Sequence, residues 1–361
     1  MGSLLLSVLI CVASQSDAAL ERELDLSDPR HVRALYLDLV GRTPNDDEMA
    51  MASGTRPDIL ARHLCASEEF WDQWFEEELF YFLLVNNARP EDAPKGESLP
   101  ERLGEGTITV PDAVRSIASS QAFNRANPGN DTFVSVVLEQ LLGMKVQRNK
   151  AILEAGKKMY DGQRASLFGE KGDSQSDVVR IVTQQDDFFL RMVERQYQRI
   201  VGRSPPRDDV ERWAEELQAD GRHFSSLVQE WVLLPVYAER LSTYRTKSDR
   251  QFLRGLFVDL TGDLPDALTM RRLRTALASL ADAAPLRSVI ARVLLDKDIV
   301  SLPARDEVDP QNFIEESFAR FFGRPPTANE AGDFLLVWQQ MEVGPETIIA
   351  ALVTHWEYQN Y

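Results

Sequence analysis

Carboxylate runs, four histidines and two cysteines are the side chains in this 361-residue chain whose types carry chemistry most readily. Glu76-Glu77-Glu78 and Asp46-Asp47-Glu48 have the charge for a calcium or acid–base site. Neither has the spaced oxygens and central glycine of a calcium loop. Adjacent carboxylates on a helix point about 100° apart. Glu76–Glu78 therefore reads as a solvated helix face, and Asp46, Asp47 and Glu48 as helix N-terminal acids. His31, His63, His223 and His355 are far apart and show no paired-ligand spacing. Two cysteines, Cys11 and Cys65, exclude a disulfide-rich scaffold and a Cys-rich zinc or iron–sulfur site. Gly-x-Ser-x-Gly and the phosphate-binding Gly-x-x-x-x-Gly-Lys-Ser/Thr loop are both missing. The expectation is a chain with no catalytic residue, no metal and no cofactor. Asn130-Asp131-Thr132 is a formal glycosylation sequon.

The acidic balance, 57 Asp+Glu against 40 Lys+Arg and a net charge of −17, opposes nucleic-acid binding, which needs clustered Lys and Arg. Residues 4–13 (LLLSVLICVA) form a short apolar run followed by small and polar residues. This reads as a secretory leader cut before Ala19, with a lipid anchor at Cys11 as the rival reading. The run is too short for a membrane span, which takes about 20 apolar residues. The expected address is periplasmic or secreted in a bacterium, with no transmembrane span in the mature chain.

The elements that would position any site come from internal repetition. Five helical patterns end on Gly41, Gly143, Gly202, Gly262 and Gly323, the last four spaced 59, 60 and 61 residues apart. Counting back from that glycine, position −9 is Val32, Val134, Val193, Leu253 and Ile314; position −5 is Tyr36, Leu138, Tyr197, Phe257 and Phe318; position −2 is Leu39, Leu141, Ile200, Leu260 and Phe321. These offsets place one apolar stripe on a helix. Glycine suits the left-handed residue that stops a helix. Pro44, Pro205, Pro265 and Pro325 follow in four units and suit the first turn of a second helix. Thr327 with Glu330 has the spacing of a capping box. Arg42, Arg203 and Arg324 follow three of the glycines and are expected to bind the last carbonyls of the helix before.

Each unit closes with a short amphipathic segment, and an extra one (114–123) lengthens the first. The regions 86–106 and 156–177 read as loops, and only Thr107–Val110 has β character. The fold class is all-α, tandem helical repeats of helix, Gly-x-x-Pro turn, helix and closing helix. The divisions are 1–18 (leader), 19–126, 127–190, 191–248, 249–306 and 307–361. The turn cluster Asn127-Pro128-Gly129-Asn130 marks the main break expected between lobes, near 125–131.

Gly41-Arg42-Thr43-Pro44 with Ala66-Ser67-Glu68-Glu69-Phe70, together with Gly202-Arg203-Ser204-Pro205 and Gly323-Arg324-Pro325-Pro326, resembles a helical repeat of bacterial extracellular proteins. That repeat is distantly similar to phycobilisome linker domains, which residues 107–142 resemble most. The first unit, continuing into Trp71-Asp72-Gln73-Trp74-Phe75, is also similar to secreted, cytochrome-associated domains of planctomycete type. Gly156-Lys157-Lys158-Met159-Tyr160-Asp161-Gly162 resembles the opening helix of c-type cytochromes, but the chain lacks the Cys-x-x-Cys-His that attaches haem. None of these resemblances implies a catalytic residue here.

The remaining candidates are aromatic. Trp71, Trp74, Phe75, Phe80, Tyr81 and Phe82 crowd one stretch. They read either as repeat core or, for Trp71, Trp74, Phe75 and Phe82, as a groove for a partner. The function expected is a non-enzymatic scaffold that binds a protein at the cell envelope. The alternative is a periplasmic enzyme or accessory protein of a cytochrome-associated or glycan-processing system.

Overall fold

The structure is a computed structural model that describes residues 23–83, 98–280, 282–296 and 299–361. The leader with Cys11, residues 86–97 of the expected loop and the Phe80 side chain lie outside the described residues; the described part of that loop contains a helix, Leu99–Gly104. The fold is all-α, with twenty-one α-helices and one two-stranded hairpin among the described residues. None of these helices is long and apolar enough to cross a membrane.

The first unit holds α1 (Pro29–Leu39), α2 (Asp46–Ser53), α3 (Pro57–Cys65) and α4 (Glu68–Leu83), then α5 (Leu99–Gly104), α6 (Val110–Ala118) and α7 (Gln121–Ala126). Next come α8 (Asn130–Leu142), α9 (Lys150–Tyr160), strands β1 (Ala165–Leu167) and β2 (Glu170–Gly172), and α10 (Gln175–Val182). The third unit is α11 (Asp186–Val201), α12 (Arg207–Ala219), α13 (Phe224–Leu233) and α14 (Pro235–Arg240). The fourth is α15 (Asp249–Thr261), α16 (Ala267–Ala278) and α17 (Ala284–Asp296). The fifth is α18 (Pro310–Phe322), α19 (Ala328–Gln340), α20 (Pro345–Thr354) and α21 (Trp356–Gln359).

All fifteen residues of the apolar stripe are buried. The five turn glycines have φ between +66° and +81°. Asn45 with Glu48 and Thr327 with Glu330 close full capping boxes. The prolines differ from expectation. Pro44, Pro205 and Pro265 precede the cap residues Asn45, Pro206 and Asp266, and Pro325 lies one residue further out. They stiffen the extended link instead of entering the next helix.

Two turn glycines separate backbone strain from packing. A Cβ at Gly262 would meet nothing within 4 Å, whereas at Gly323 it would lie 3.0 Å from Arg30 Cγ and 3.1 Å from the Arg30 backbone nitrogen. Gly262→Ala is expected to cost about 1–2 kcal/mol, the left-handed penalty alone. Gly323→Ala is expected to cost more, because α1 must also shift. Urea denaturation of the two variants checks the order.

Other loop expectations are also revised. Thr109 caps α6 through a capping box with Asp112, so 107–110 is a helix entry and not a strand. Within 156–177, the start is helical: Gly156 lies inside α9, where a Cβ would stand 2.5 Å from Val134 Cγ1. The hairpin pairs Leu167 with Glu170 across Phe168 and Gly169, both with positive φ (49° and 87°). That is the geometry of a tight turn matched to strand twist.

The helices bury two separate cores, one from Leu24 to Tyr237 and one from Phe252 to Tyr358. The break expected near 125–131 is therefore not a boundary. Phe123 of α7 packs on Phe133 of α8 within one core, ring centroids 5.5 Å apart. The cores part after α14, at the link to α15.

Within each core the same partnership recurs. Helix α3 packs on α13, and α17 packs on α20. Tyr237 and Tyr358, each 35 residues beyond a turn glycine, donate to Asp38 and Asp259, each three residues before one (2.8 Å both). The first unit thus pairs with the third as the fourth pairs with the fifth. The second unit is built into the first pair.

Candidate functional site

Helices α1 and α15 meet at the seam between the cores. Each turns its apolar stripe into its own core and its polar positions toward the other. Arg33 donates to both Asp259 oxygens (3.1 and 2.8 Å) and to the Arg320 carbonyl (2.7 Å). Gln251 donates to the Leu37 carbonyl (2.9 Å). Asp38 accepts from Tyr237, Arg240, Arg245 (3.2 Å) and Tyr361 (2.8 Å). Burial and the neighbouring Asp38 push the Tyr237 hydroxyl well above its ordinary pKa, so it stays a donor.

A cavity with a volume of about 440 Å³ opens beside this seam. Its walls are α1 (Arg30, His31, Arg33, Ala34, Leu37), residues 238–247, the end of α18 (Phe321, Phe322) and the C-terminal Glu357, Asn360 and Tyr361. The wall near the link is fixed by backbone pairing with the C-terminal residues: Arg245 exchanges hydrogen bonds with Tyr361, and the Lys247 N–H donates to the Gln359 carbonyl (2.9 Å).

Lys247 is 3% exposed. Burial pulls its ammonium down to about 7, aided by Arg33 and Arg287 and opposed by Asp259. Such an amine changes charge near neutral pH, and it can pair with an anion or hold a proton.

Glu357 on the same wall is held by Arg324, which donates to both its oxygens (2.7 Å each) and to both oxygens of Glu330 (2.9 and 2.8 Å). Arg42 repeats this with Glu48 and Glu69. The arginines after the turn glycines therefore clamp the capping glutamate to a closing helix; they do not bind the last carbonyls of the helix before. Arg203, lacking a glutamate at that position, reaches only Glu239 (3.1 Å).

The Arg324 hydrogen bond, followed by those from Thr327, holds the Glu330 carboxyl down at about 2 against its usual 4.5. A lowered folded-state pKa adds stability above the unfolded value and loses it as pH falls through the folded one. The stability gap between the parent chain and Arg324→Ala is expected to be constant above about pH 5 and to shrink toward pH 2. Denaturation midpoints across that range check it.

The residues singled out from sequence fall elsewhere. Trp71, Trp74 and Phe82 are buried in the first core, and half-buried Phe75 packs against it. Trp71 and Trp74 stack edge-on with each other and contact Phe224. Packing closes Trp71, Trp74 and Phe82 to a partner, and only part of Phe75 reaches the surface. Cys65 is buried, and burial raises its thiol pKa. Asn130 donates to Asp161 (2.7 Å). Among the described residues no group of three metal-binding side chains comes together.

Glu76, Glu77 and Glu78 are not a solvated face. Glu78 is fully buried against Arg195 and Gln196, Glu77 pairs with Arg199 (2.5 Å), and Glu76 pairs with Arg274 (2.6 Å). Helix α4 thus binds α11 through two of its acids and the second core through the third.

No family model and no curated protein matches this sequence. The cavity stands on its geometry alone. Its key residue, Lys247, had no sequence signal: Thr246-Lys247-Ser248 reads as a polar link ending in the Ser248 cap.

Proposed function

We propose that this chain is a secreted or periplasmic, non-enzymatic helical-repeat scaffold that binds another protein at the bacterial cell envelope. The observation that carries the reading is where apolar surface is left open. Nine of the fourteen exposed large apolar side chains among the described residues lie within 264–341: Leu264, Leu268, Leu280, Val289, Val293, Ile299, Leu336, Val337 and Met341. Exposed apolar residues scattered singly need no explanation, but Val289 with Val293 and Val337 with Met341 stand four residues apart, the spacing of neighbours on one helix face, and are read here as parts of an interaction surface. Helices α16 and α19 each fully bury a single residue, Leu277 and Trp338. The resemblance of the Gly-Arg-x-Pro turns to bacterial extracellular repeats supports the same reading.

The test is crosslinked pull-down from envelope fractions with the mature chain and with Val289→Asp/Leu336→Asp/Met341→Asp. These side chains are 54%, 50% and 70% exposed, so the triple variant is expected to fold and to lose the partner. A chain that captures nothing and turns over a substrate overturns the scaffold reading. An intact Met1 in a cytosolic fraction, read by mass spectrometry, overturns the secretory part.

A further inference from the structure

The cavity wall carries charges that are matched and one that is not. Arg33 is held by Asp259, Arg30 by Asp28 (2.6 Å) and Glu357 by Arg324 (2.7 Å). Lys247 is as buried as any of them, yet its Nζ has no carboxylate or hydrogen-bond partner among the described residues. It stands 3.9 Å above the Tyr358 ring centroid. Its nearest acid, Asp259, already accepts two bonds from Arg33 and one from Tyr358. A buried cation without a partner is costly unless something completes it. The rest of the wall includes Ala34, Leu37, Leu241, Phe321 and Phe322.

We propose that this cavity binds a monocarboxylate with an apolar body, its carboxylate on Lys247 Nζ and its hydrocarbon against Leu37, Leu241, Phe321 and Phe322. One unmatched cation sets one negative charge. The apolar wall and a volume of about 440 Å³ suit a small organic acid. The net charge of −17 repels polyanions. A free small acid and the C-terminal carboxylate of a peptide share this chemistry. Val289, Leu336 and Met341 do not line this cavity, so a failed pull-down leaves the proposal untouched.

Binding should take up a proton at pH 8, because the free amine, held near 7, is captured as the ammonium. The charged and titratable groups facing Lys247 are Arg33 from α1, Asp259 from α15, Arg287 from α17 and Tyr358 from α21. Arg30, His31, Tyr244, Glu357 and Tyr361 complete the titratable wall.

Titration calorimetry of the full chain tests this with octanoate, octanamide, and a short peptide ending in leucine as free acid or amide. Octanoate or the free-acid peptide is expected to bind, and the amides at least about tenfold more weakly. Uptake near one proton per ligand at pH 8, read from the buffer dependence of the heat, should fall toward zero at pH 6. Lys247→Met should lose both the discrimination and the uptake. Octanoate binding alone assigns a free acid, and peptide binding alone assigns a chain end. No binding of either acid at millimolar concentration overturns the proposal, as does equal binding of acid and amide. If Lys247→Met fails to fold, Ser242→Trp at the exposed rim is expected to weaken acid binding by narrowing the mouth. Unchanged affinity in that variant overturns the proposal.

Discussion

Asp38→Ala is expected to lower the stability of the chain by roughly 3–5 kcal/mol, the range for stranding a buried charge. Asp38 is 4% exposed and takes hydrogen bonds from four side chains. Two of the donors are guanidinium groups and two are tyrosine hydroxyls. Without the carboxylate, Arg240 keeps its charge with only 9% of its side chain exposed and no other acid in contact among the described residues. Tyr237 is fully buried and loses its acceptor. Arg245, 35% exposed, can turn partly to water, which keeps the loss below what two stranded arginines would cost. Asp38→Asn is expected to fall between, since it keeps one acceptor oxygen but points an amide at donors.

The donors of Asp38 also set where the loss is felt. Tyr237 and Arg240 belong to α14, Arg245 to the link between the cores, and Tyr361 to the chain end. Arg245 also donates to the Arg199 carbonyl (2.5 Å), just as Arg33 serves Asp259 and the Arg320 carbonyl. The variant should therefore loosen the link and the wall of the cavity together with the first core. Urea denaturation followed by tryptophan fluorescence checks this, because Trp71, Trp74, Trp213 and Trp231 report the first core and Trp338 the second. A loss under about 1 kcal/mol would mean that the arginines find solvent and the hub is not a stabilising junction.

How much of this was legible in the sequence follows from the range of the interactions. The stripe at −9, −5 and −2, the stop glycines and the capping boxes are local, and each shows within one helix or turn. The polar position three residues before the glycine is also periodic: Asp38 and Asp259 on α1 and α15, Arg199 and Arg320 on α11 and α18. That alternation foreshadows which units pair, but a reading confined to apolar residues passes over it. The hairpin was hidden because Phe168-Gly169 is a weak turn signal and its strands are three residues each. The two cores were hidden because the link 241–248 (LSTYRTKS) carries no glycine or proline to mark a boundary. Lys247 was hidden because burial of a lone charge depends on walls drawn from residues 30 to 361.

Glu78→Ala is the second large effect, again expected at roughly 3–5 kcal/mol. Run after run of glutamate on a helix is ordinarily solvated, and a sequence offers no sign of an arginine 117 residues away. Here Glu78 has no exposure, and its oxygens take both Arg195 amines at 2.6 Å and Gln196 Nε2 at 2.5 Å. Arg195 in turn lies 4.1 Å from the Tyr81 ring centroid and 5.7 Å from that of Phe82, with 17% of its side chain exposed. Removing the acid leaves the guanidinium against two aromatic rings with little water.

Removing both charges has a different expected outcome. A buried pair loses much of its Coulomb gain to desolvation, so an apolar replacement of similar volume is often neutral. Glu78→Met with Arg195→Met should therefore recover most of what either single variant loses. The double-mutant cycle then gives a coupling at least as large as either single loss, about 3 kcal/mol or more, and additivity of the two singles would show that α4 and α11 are held by packing alone. Because Glu77 adjoins Glu78 on α4 and its partner Arg199 lies one turn from Arg195 on α11, the cycle should be repeated in Glu77→Gln. Burial raises the Glu77 carboxyl, so this site holds its charge less firmly. A coupling at Glu78 that survives there assigns the joint between the first and third units to one ion pair.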